Sequence, residues 1–101
     1  MKNMDLTEVI NRIGYFRNRA NLSARALSLE IGKNPAYITK LEAREYEPSM
    51  QIMLDIIDAC NTTVEEFFYK DITSYKIDKD ALKIIERLNP KQKSALIELL
   101  E

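Results

Sequence analysis

The stretch Leu22–Pro48, LSARALSLEIGKNPAYITKLEAREYEP, decides the fold of this chain. Ser23 is a favourable N-cap for a short helix, and Leu27 and Ile31 lie on one face of that helix at a spacing of four. Gly32 ends the helix, because glycine adopts the left-handed conformation of a C-cap without steric cost. The first half of the stretch therefore predicts one short helix followed by a tight turn.

The second half of the stretch predicts another short helix. Asn34 is suited to cap it, and Pro35 suits its first position, where the missing N–H costs nothing. Ile38 and Leu41 form the buried face of this second helix. Two short helices joined by a glycine-bearing turn make a helix-turn-helix motif. The side chains that this arrangement turns outward are Ala36, Tyr37, Thr39, Lys40 and Arg44.

Three further helices complete a predicted all-α, five-helix domain over residues 1–69. The first begins at Asp5, whose spacing to Glu8 is that of a capping box, and its apolar residues recur with helical period. Arg12 and Arg19 fall outside that apolar stripe. The fourth helix follows Ser49, and a fifth short helix follows Thr63. Apolar residues occupy most of the circumference of the fourth helix, which places it in the middle of the core.

A predicted linker, residues 70–79, separates this domain from two amphipathic segments within residues 80–101. Two short helices alone do not offset the entropy lost on ordering them, so their apolar faces require a partner. These segments either fold back onto their own domain or form a dimerisation element, and we favour the second alternative because the five-helix unit is already complete. The predicted dimerisation residues are Leu82, Ile85, Leu88, Leu96, Leu99 and Leu100.

Charge is distributed unevenly along the 101 residues. Residues 1–44 carry eight Lys/Arg against four Asp/Glu, a balance of +4, whereas residues 45–101 carry seven against twelve, a balance of −5. A basic front half and an acidic back half are typical of a small DNA-binding domain with a separate association surface. The overall net charge of −1 conceals this asymmetry.

The residue inventory argues against an enzyme. The sequence has no histidine, so it offers no histidine general base and no histidine metal ligand. Its single cysteine, Cys60, falls within a core helix, and no phosphate-cradling glycine loop is present. We therefore predict no catalytic residue, no metal and no cofactor. A lone cysteine and the lack of any long apolar run favour a cytoplasmic protein without a membrane span.

Motif residues at matched spacing extend through all five helices of the predicted domain. Through them residues 8–68 resemble the Cro/cI-type helix-turn-helix domain of the xenobiotic-response-element family, which comprises bacterial and phage transcription regulators. In that family an arginine late in the first helix pairs with a glutamate late in the recognition helix, and Arg17 and Glu42 match these positions. The matching residues are Leu22-Ser23, Leu27, Ser28, Ile31-Gly32, Ile38, Leu41-Glu42, Pro48-Ser49 and Thr63 to Phe68.

The resemblance implies a lambda-repressor-like fold and sequence-specific binding of double-stranded DNA by a dimeric transcriptional regulator, a repressor. Its recognition helix, about Asn34–Arg44, would enter the major groove while the helix before it crosses the backbone. Lysine suits a guanine edge, and arginine and lysine suit phosphates. The predicted base contacts are Asn34, Ala36, Tyr37, Thr39 and Lys40, and the predicted phosphate contacts are Ser23, Arg25, Lys33 and Arg44.

The chain also departs from the family pattern. Ala24 stands where the family has a phosphate-contacting glutamine, Arg44 replaces a glycine, and Pro35 and Ala36 cannot hydrogen-bond a base edge. These departures favour an alternative with the same fold, namely a protein-binding adaptor or antirepressor that binds little DNA.

Overall fold

The computed structural model describes residues 4–101, which form seven α-helices and no strand. The prediction of an all-helical fold is therefore confirmed. The chain divides into two compact units, of which the first ends at Phe68 and the second comprises Tyr69–Glu101. No helix among the described residues is long and apolar enough to cross a membrane. The helices are α1 (Leu6–Arg19), α2 (Ala24–Glu30), α3 (Tyr37–Glu42), α4 (Met50–Ala59), α5 (Val64–Phe67), α6 (Tyr75–Glu86) and α7 (Pro90–Leu100).

Helices α1 to α5 enclose the hydrophobic core of the first unit. In this unit α2 packs on α3, α1 on α3, α2 on α4 and α4 on α5. Each fully buried aliphatic or aromatic side chain contributes about 1.5–3 kcal/mol relative to its exposed state, so the core is the main source of stability. The buried apolar residues are Ile10, Ile13, Phe16, Leu27, Ile38, Leu41, Met53, Ile56, Ile57, Cys60 and Phe67.

Side-chain caps begin four helices of the first unit where the sequence predicts them. The side-chain oxygens of Asp5, Ser23, Ser49 and Thr63 each accept a backbone N–H three residues further on. Each such cap contributes about 1 kcal/mol, because it satisfies a donor that the helix cannot.

Left-handed residues end four helices in the same way. Asn21, Gly32, Arg44 and Asn61 have φ between 56° and 75°, and each follows the C-cap residue of α1, α2, α3 or α4. At each, two backbone N–H groups donate to carbonyls of the last helical turn, which is the Schellman motif. After α3, for example, Arg44 N–H donates to Leu41 O and Glu45 N–H donates to Lys40 O. Arg44 is the costly member, because it has no short polar side chain to favour this conformation.

The structure corrects the predicted start of the recognition helix. Helix α3 begins at Tyr37, so Asn34 and Pro35 lie in the preceding turn and not in the helix. The Asn34 side-chain oxygen accepts the Ala36 N–H at 3.0 Å, which forms a local turn instead of a helix cap. Ala36 occupies the N-cap position and offers no side-chain acceptor.

Residues predicted as a linker are partly helical. Helix α6 begins at Tyr75, five residues before the predicted segment at Asp80, and ends at Glu86. The Tyr69 hydroxyl donates to the Asp78 carboxylate at 2.6 Å, and the rings of Tyr69 and Tyr75 meet edge to face at 5.1 Å. The start of α6 therefore depends on aromatic and hydrogen-bonding contacts that do not follow the helical apolar period.

Candidate nucleic-acid interface

Helices α2 and α3 and the turn between them form the scaffold of the candidate interface. Leu27 of α2 and Ile38 and Leu41 of α3 are fully buried, which locks the two helices against the core. Ser28, also fully buried, donates its hydroxyl to Ala24 O at 2.7 Å and accepts the Ile38 N–H at 2.9 Å. A side chain of α2 thus caps α3, which compensates for the missing cap at Ala36.

The outer face of α3 carries the residues predicted to contact bases. Ala36, Thr39 and Lys40 are exposed, whereas Tyr37 is half-buried. Thr39 and Lys40 lie three and four residues after Ala36, so both lie on the same side of the helix as Ala36. Asn34 is exposed in the turn, where its oxygen is bonded to Ala36 and its amide NH₂ remains the group suited to an external contact.

Exposed polar and basic side chains surround this face. Ser23, Arg25, Lys33 and Arg44 are all exposed, and they lie at the start of α2, in the turn and after α3. The Ser23 oxygen accepts the Ala26 N–H at 2.9 Å, which leaves its O–H as a donor. The four residues thus border both helices of the motif, where phosphate groups on either side of a major groove would lie.

A bidentate ion pair braces α3 against α1. Arg17 Nε lies 2.8 Å from Glu42 Oε2, and Arg17 Nη2 lies 2.9 Å from Glu42 Oε1. Arg17 Nη1 also donates to Leu22 O at 3.0 Å, which ties α1 to the start of the motif. The Glu42 hydrogen bond raises the pKa of Arg17 above its ordinary value. The pair implied by the family resemblance is thus present, and it fixes the C-terminal end of α3.

Arg44 extends from the end of α3 towards the start of α1. Its Nη1 donates to Thr7 Oγ1 at 2.6 Å, and both residues are exposed. Because the bond is exposed, water or another acceptor can replace it at little cost. Arg44 is therefore positioned at the margin of the interface and remains available to an external anion.

Two arginines of α1 have structural partners that the apolar pattern did not indicate. Arg12 is buried rather than directed away from the core, and it donates to Phe67 O, the last carbonyl of α5, at 2.7 Å. Arg19 forms a bidentate pair with Glu66 at 2.6 and 2.9 Å, and its guanidinium lies 4.6 Å from the centre of the Phe16 ring. The Arg19 hydrogen bond lowers the pKa of Glu66 below its ordinary value.

Aromatic stacking beside α3 was also not predicted. The rings of Tyr37 and Tyr46 stack with centres 5.2 Å apart and planes inclined by 17°. The Lys33 ammonium lies 5.6 Å from the centre of the Tyr37 ring. The three residues are separated by four and nine positions, which does not fit one helical period. The sequence pattern therefore does not predict that they lie side by side.

The residues predicted for dimerisation lie on α6 and α7 and in the turn between them. No side chain of α6 or α7 is buried. Leu82, Ile85, Leu99 and Leu100 are exposed, with Leu99 and Leu100 at 80% and 75%, whereas Leu88 and Leu96 are half-buried. An open cleft with a volume of about 410 Å³ is lined by Ile85, Lys93, Leu96, Ile97, Leu100 and Glu101.

Among residues 4–101, no group of three or more metal-ligating side chains lies close enough together to hold a metal ion.

A helix-turn-helix family model matches residues 13–67, slightly more than half of the chain, from the middle of α1 to the end of α5. Searches of curated proteins and of solved structures gave no match.

Proposed function

Because the chain belongs to the helix-turn-helix family of Cro/cI-type DNA-binding transcription regulators, we propose that it is a repressor that reads a two-fold symmetric DNA site as a homodimer. Helix α3 enters the major groove, and α2 crosses the sugar-phosphate backbone. A protein of this kind represses by occupying its site, which excludes other proteins from the same DNA.

The observation that carries this proposal is that one face of α3 is buried against the core and the other face is exposed. Ile38 and Leu41 are fully buried, and Glu42 is paired with Arg17. Thr39 and Lys40 point outward from the same six-residue helix. A rigid support under exposed side chains is what base readout requires, because the reading groups must keep their positions to discriminate.

Lys40 is the residue we assign to a guanine, whose O6 and N7 accept hydrogen bonds from lysine. The methyl groups of Ala36 and Thr39 suit the methyl group of thymine, and the Asn34 amide and the Tyr37 ring complete the proposed base-contact set. Ser23, Arg25, Lys33 and Arg44 are assigned to phosphates. These assignments predict a half-site with at least one guanine next to thymines.

A test of this readout compares one base contact with one phosphate contact. Lys40→Ala should weaken binding by about 1–3 kcal/mol and relax the preference at one base-pair position. Arg25→Ala should weaken binding to all sequences alike and lower the salt dependence of log K by about 0.9. Fluorescence anisotropy on selected DNA and its single-base variants measures both effects. Unchanged affinity in both variants would contradict the groove-docking arrangement.

Dimerisation through α6 and α7 follows from the size of the reading surface. One recognition helix contacts only a few base pairs, and two copies at half-sites about 34 Å apart read a palindrome. The exposed leucines of α7 and the open cleft beside them are the apolar surface that we assign to a second copy. The rival surface is formed by apolar residues of α4 and α5 and of the C-cap of α5, which are also exposed: Met50, Leu54, Val64 and Phe68.

Leu100 and Met50 provide a matched pair for testing this assignment, since both are 75% exposed. Leu100→Glu introduces a charge into the proposed interface, whereas Met50→Glu introduces the same charge into the rival surface. We expect Leu100→Glu to be monomeric by light scattering and to bind a two-half-site DNA poorly, while Met50→Glu remains a dimer. The reverse result would transfer the interface to α4 and α5.

A second candidate function is that of a protein-binding adaptor or antirepressor with the same fold. Leu29, on the exposed side of α2, is 52% exposed, and an apolar side chain there suits a protein partner better than a phosphate. Pro35 and Ala36, at the start of the proposed reading surface, supply no hydrogen bond to a base. Under this alternative Leu29→Lys abolishes partner binding, and Lys40→Ala has no effect on any DNA interaction.

A further inference from the structure

The stacked rings of Tyr37 and Tyr46 connect the start of the short helix α3 with the segment that follows its end. Tyr37 is the first residue of α3, and Tyr46 lies four residues beyond its last residue, Glu42. The left-handed conformation of Arg44 reverses the chain direction, and Glu45 N–H bonds back to Lys40 O at 3.0 Å. This reversal allows Tyr46 to reach the ring at the start of the helix.

Both tyrosine hydroxyls are accessible donors. Among residues 4–101, neither the Tyr37 nor the Tyr46 hydroxyl has a hydrogen-bond partner, and no buried side-chain oxygen or nitrogen lacks one. The two hydroxyls therefore reach solvent although both side chains are half-buried. Burial and the neighbouring Tyr46 phenol raise the pKa of Tyr37, so its hydroxyl keeps its proton at neutral pH.

A cation lies beside the same rings. The Lys33 ammonium, 5.6 Å from the centre of the Tyr37 ring, is within the range of a cation–π interaction, which restricts an otherwise mobile side chain. Glu45 and Glu47 adjoin Tyr46 in sequence, and both are exposed carboxylates that repel a phosphate. A specific contact there has to come from directed donors, and phenol hydroxyls and a lysine ammonium are donors that bind phosphate oxygens.

Resting on the proposed function, we propose that Lys33, Tyr37 and Tyr46 form a clamp that holds one backbone phosphate of the bound DNA. Tyr46 is the member that the sequence did not indicate. In this tyrosine clamp Tyr46 both supports the Tyr37 ring and donates its own hydroxyl to the phosphate. The Tyr37 hydroxyl then fixes the position of α3 in the groove, while the Tyr37 ring stays in the proposed base-contact set with Thr39 and Lys40.

The test removes the hydroxyls and keeps the rings. Tyr46→Phe and Tyr37→Phe preserve stacking, and Tyr15→Phe on α1 is the matched control, because Tyr15 is exposed and lies outside α2 and α3. We expect Tyr46→Phe to lose about tenfold in affinity for every duplex alike, the loss of one hydrogen bond to a charged group. Its melting temperature and its salt dependence should equal those of the parent, because a neutral group releases no counterion. Lys33→Gln should instead lower the salt dependence of log K by about 0.9.

Methylphosphonate substitution identifies the phosphate. One phosphate at a time is replaced in the selected duplex, and affinity is compared with that for the unsubstituted duplex. At one position the parent should lose affinity, whereas Tyr46→Phe, which already lacks the contact, should lose little further affinity. Such coupling between the variant and one phosphate supports the clamp.

Three results would overturn the clamp. If Tyr46→Phe and Tyr37→Phe bind DNA as the parent does, the clamp is wrong while the proposed function stands. If Tyr46→Phe loses affinity only for duplexes that carry one particular base pair, the hydroxyl reads a base and the phosphate assignment is wrong. If the parent chain binds no duplex at low salt, the proposed function and the clamp both fail.

Discussion

Removing the guanidinium of Arg17 is the perturbation whose outcome can be worked out most fully from the structure. Arg17→Met keeps much of the side-chain volume but deletes two hydrogen bonds to Glu42 and one to Leu22 O. It also leaves the Glu42 carboxylate without its cation in a site where only 23% of that side chain is exposed. Breaking a fully buried pair costs about 3–5 kcal/mol. Because water reaches part of both side chains, we expect a smaller loss of about 2–4 kcal/mol.

The melting temperature reports this loss directly. For a domain of this size 1 kcal/mol corresponds to about 4–8 °C, so Arg17→Met should melt about 8–32 °C below the parent. Thermal unfolding followed by circular dichroism measures the shift, and Arg25→Met is the control, because Arg25 is exposed and its loss should change stability by less than about 0.5 kcal/mol.

A double variant separates the ion pair from simple loss of packing. Arg17→Met combined with Glu42→Leu removes both charges, and it should recover a large part of the lost stability because no unpaired carboxylate remains. If Arg17→Met melts within about 2 °C of the parent, the pair does not stabilise the fold and the bracing of α3 against α1 is refuted.

Two further predictions follow from single residues. Arg44→Gly should raise the melting temperature by a few degrees, because glycine removes a left-handed penalty of about 1 kcal/mol, while DNA affinity falls with the lost cation; equal affinity would contradict the phosphate assignment. Pairing with Arg19 lowers the pKa of Glu66 in the folded state. The ion pair therefore stabilises the fold fully above about pH 5, and this stabilisation is lost as the pH falls below about 4. Glu66→Gln should therefore melt lower at pH 7 and lose less stability than the parent between pH 5 and 3, and equal acid sensitivity would contradict this.

Features encoded within a few consecutive residues could be predicted from the sequence. The caps at Ser23 and Ser49 and the glycine turn at Gly32 depend on local backbone chemistry, and all three are present. Asn89 likewise caps α7, with Gln92 completing a capping box. Burial along α1 follows the helical apolar period except at Arg12. Helix α4 departs from its prediction, because Met50 and Leu54 are exposed although apolar residues occupy most of its circumference.

Features that depend on side chains distant in sequence could not be predicted in this way. The Ser28 hydroxyl caps α3 from another helix, which is why the local signal at Asn34 and Pro35 indicated too early a start. Arg12 is buried because a carbonyl at the end of α5 accepts its hydrogen bond, and nothing near it in the sequence shows that acceptor. Tyr46 reaches α3 only through the left-handed reversal at Arg44.

Selection of bound duplexes from a random pool at low salt tests the central claim most directly, because it assumes no particular operator sequence. We predict enrichment of a two-fold symmetric motif, with half-site centres about 10 base pairs apart and a guanine in each half-site. Failure to enrich any motif, while the protein remains folded by circular dichroism, would contradict sequence-specific binding through α3. Such a result would favour the adaptor alternative.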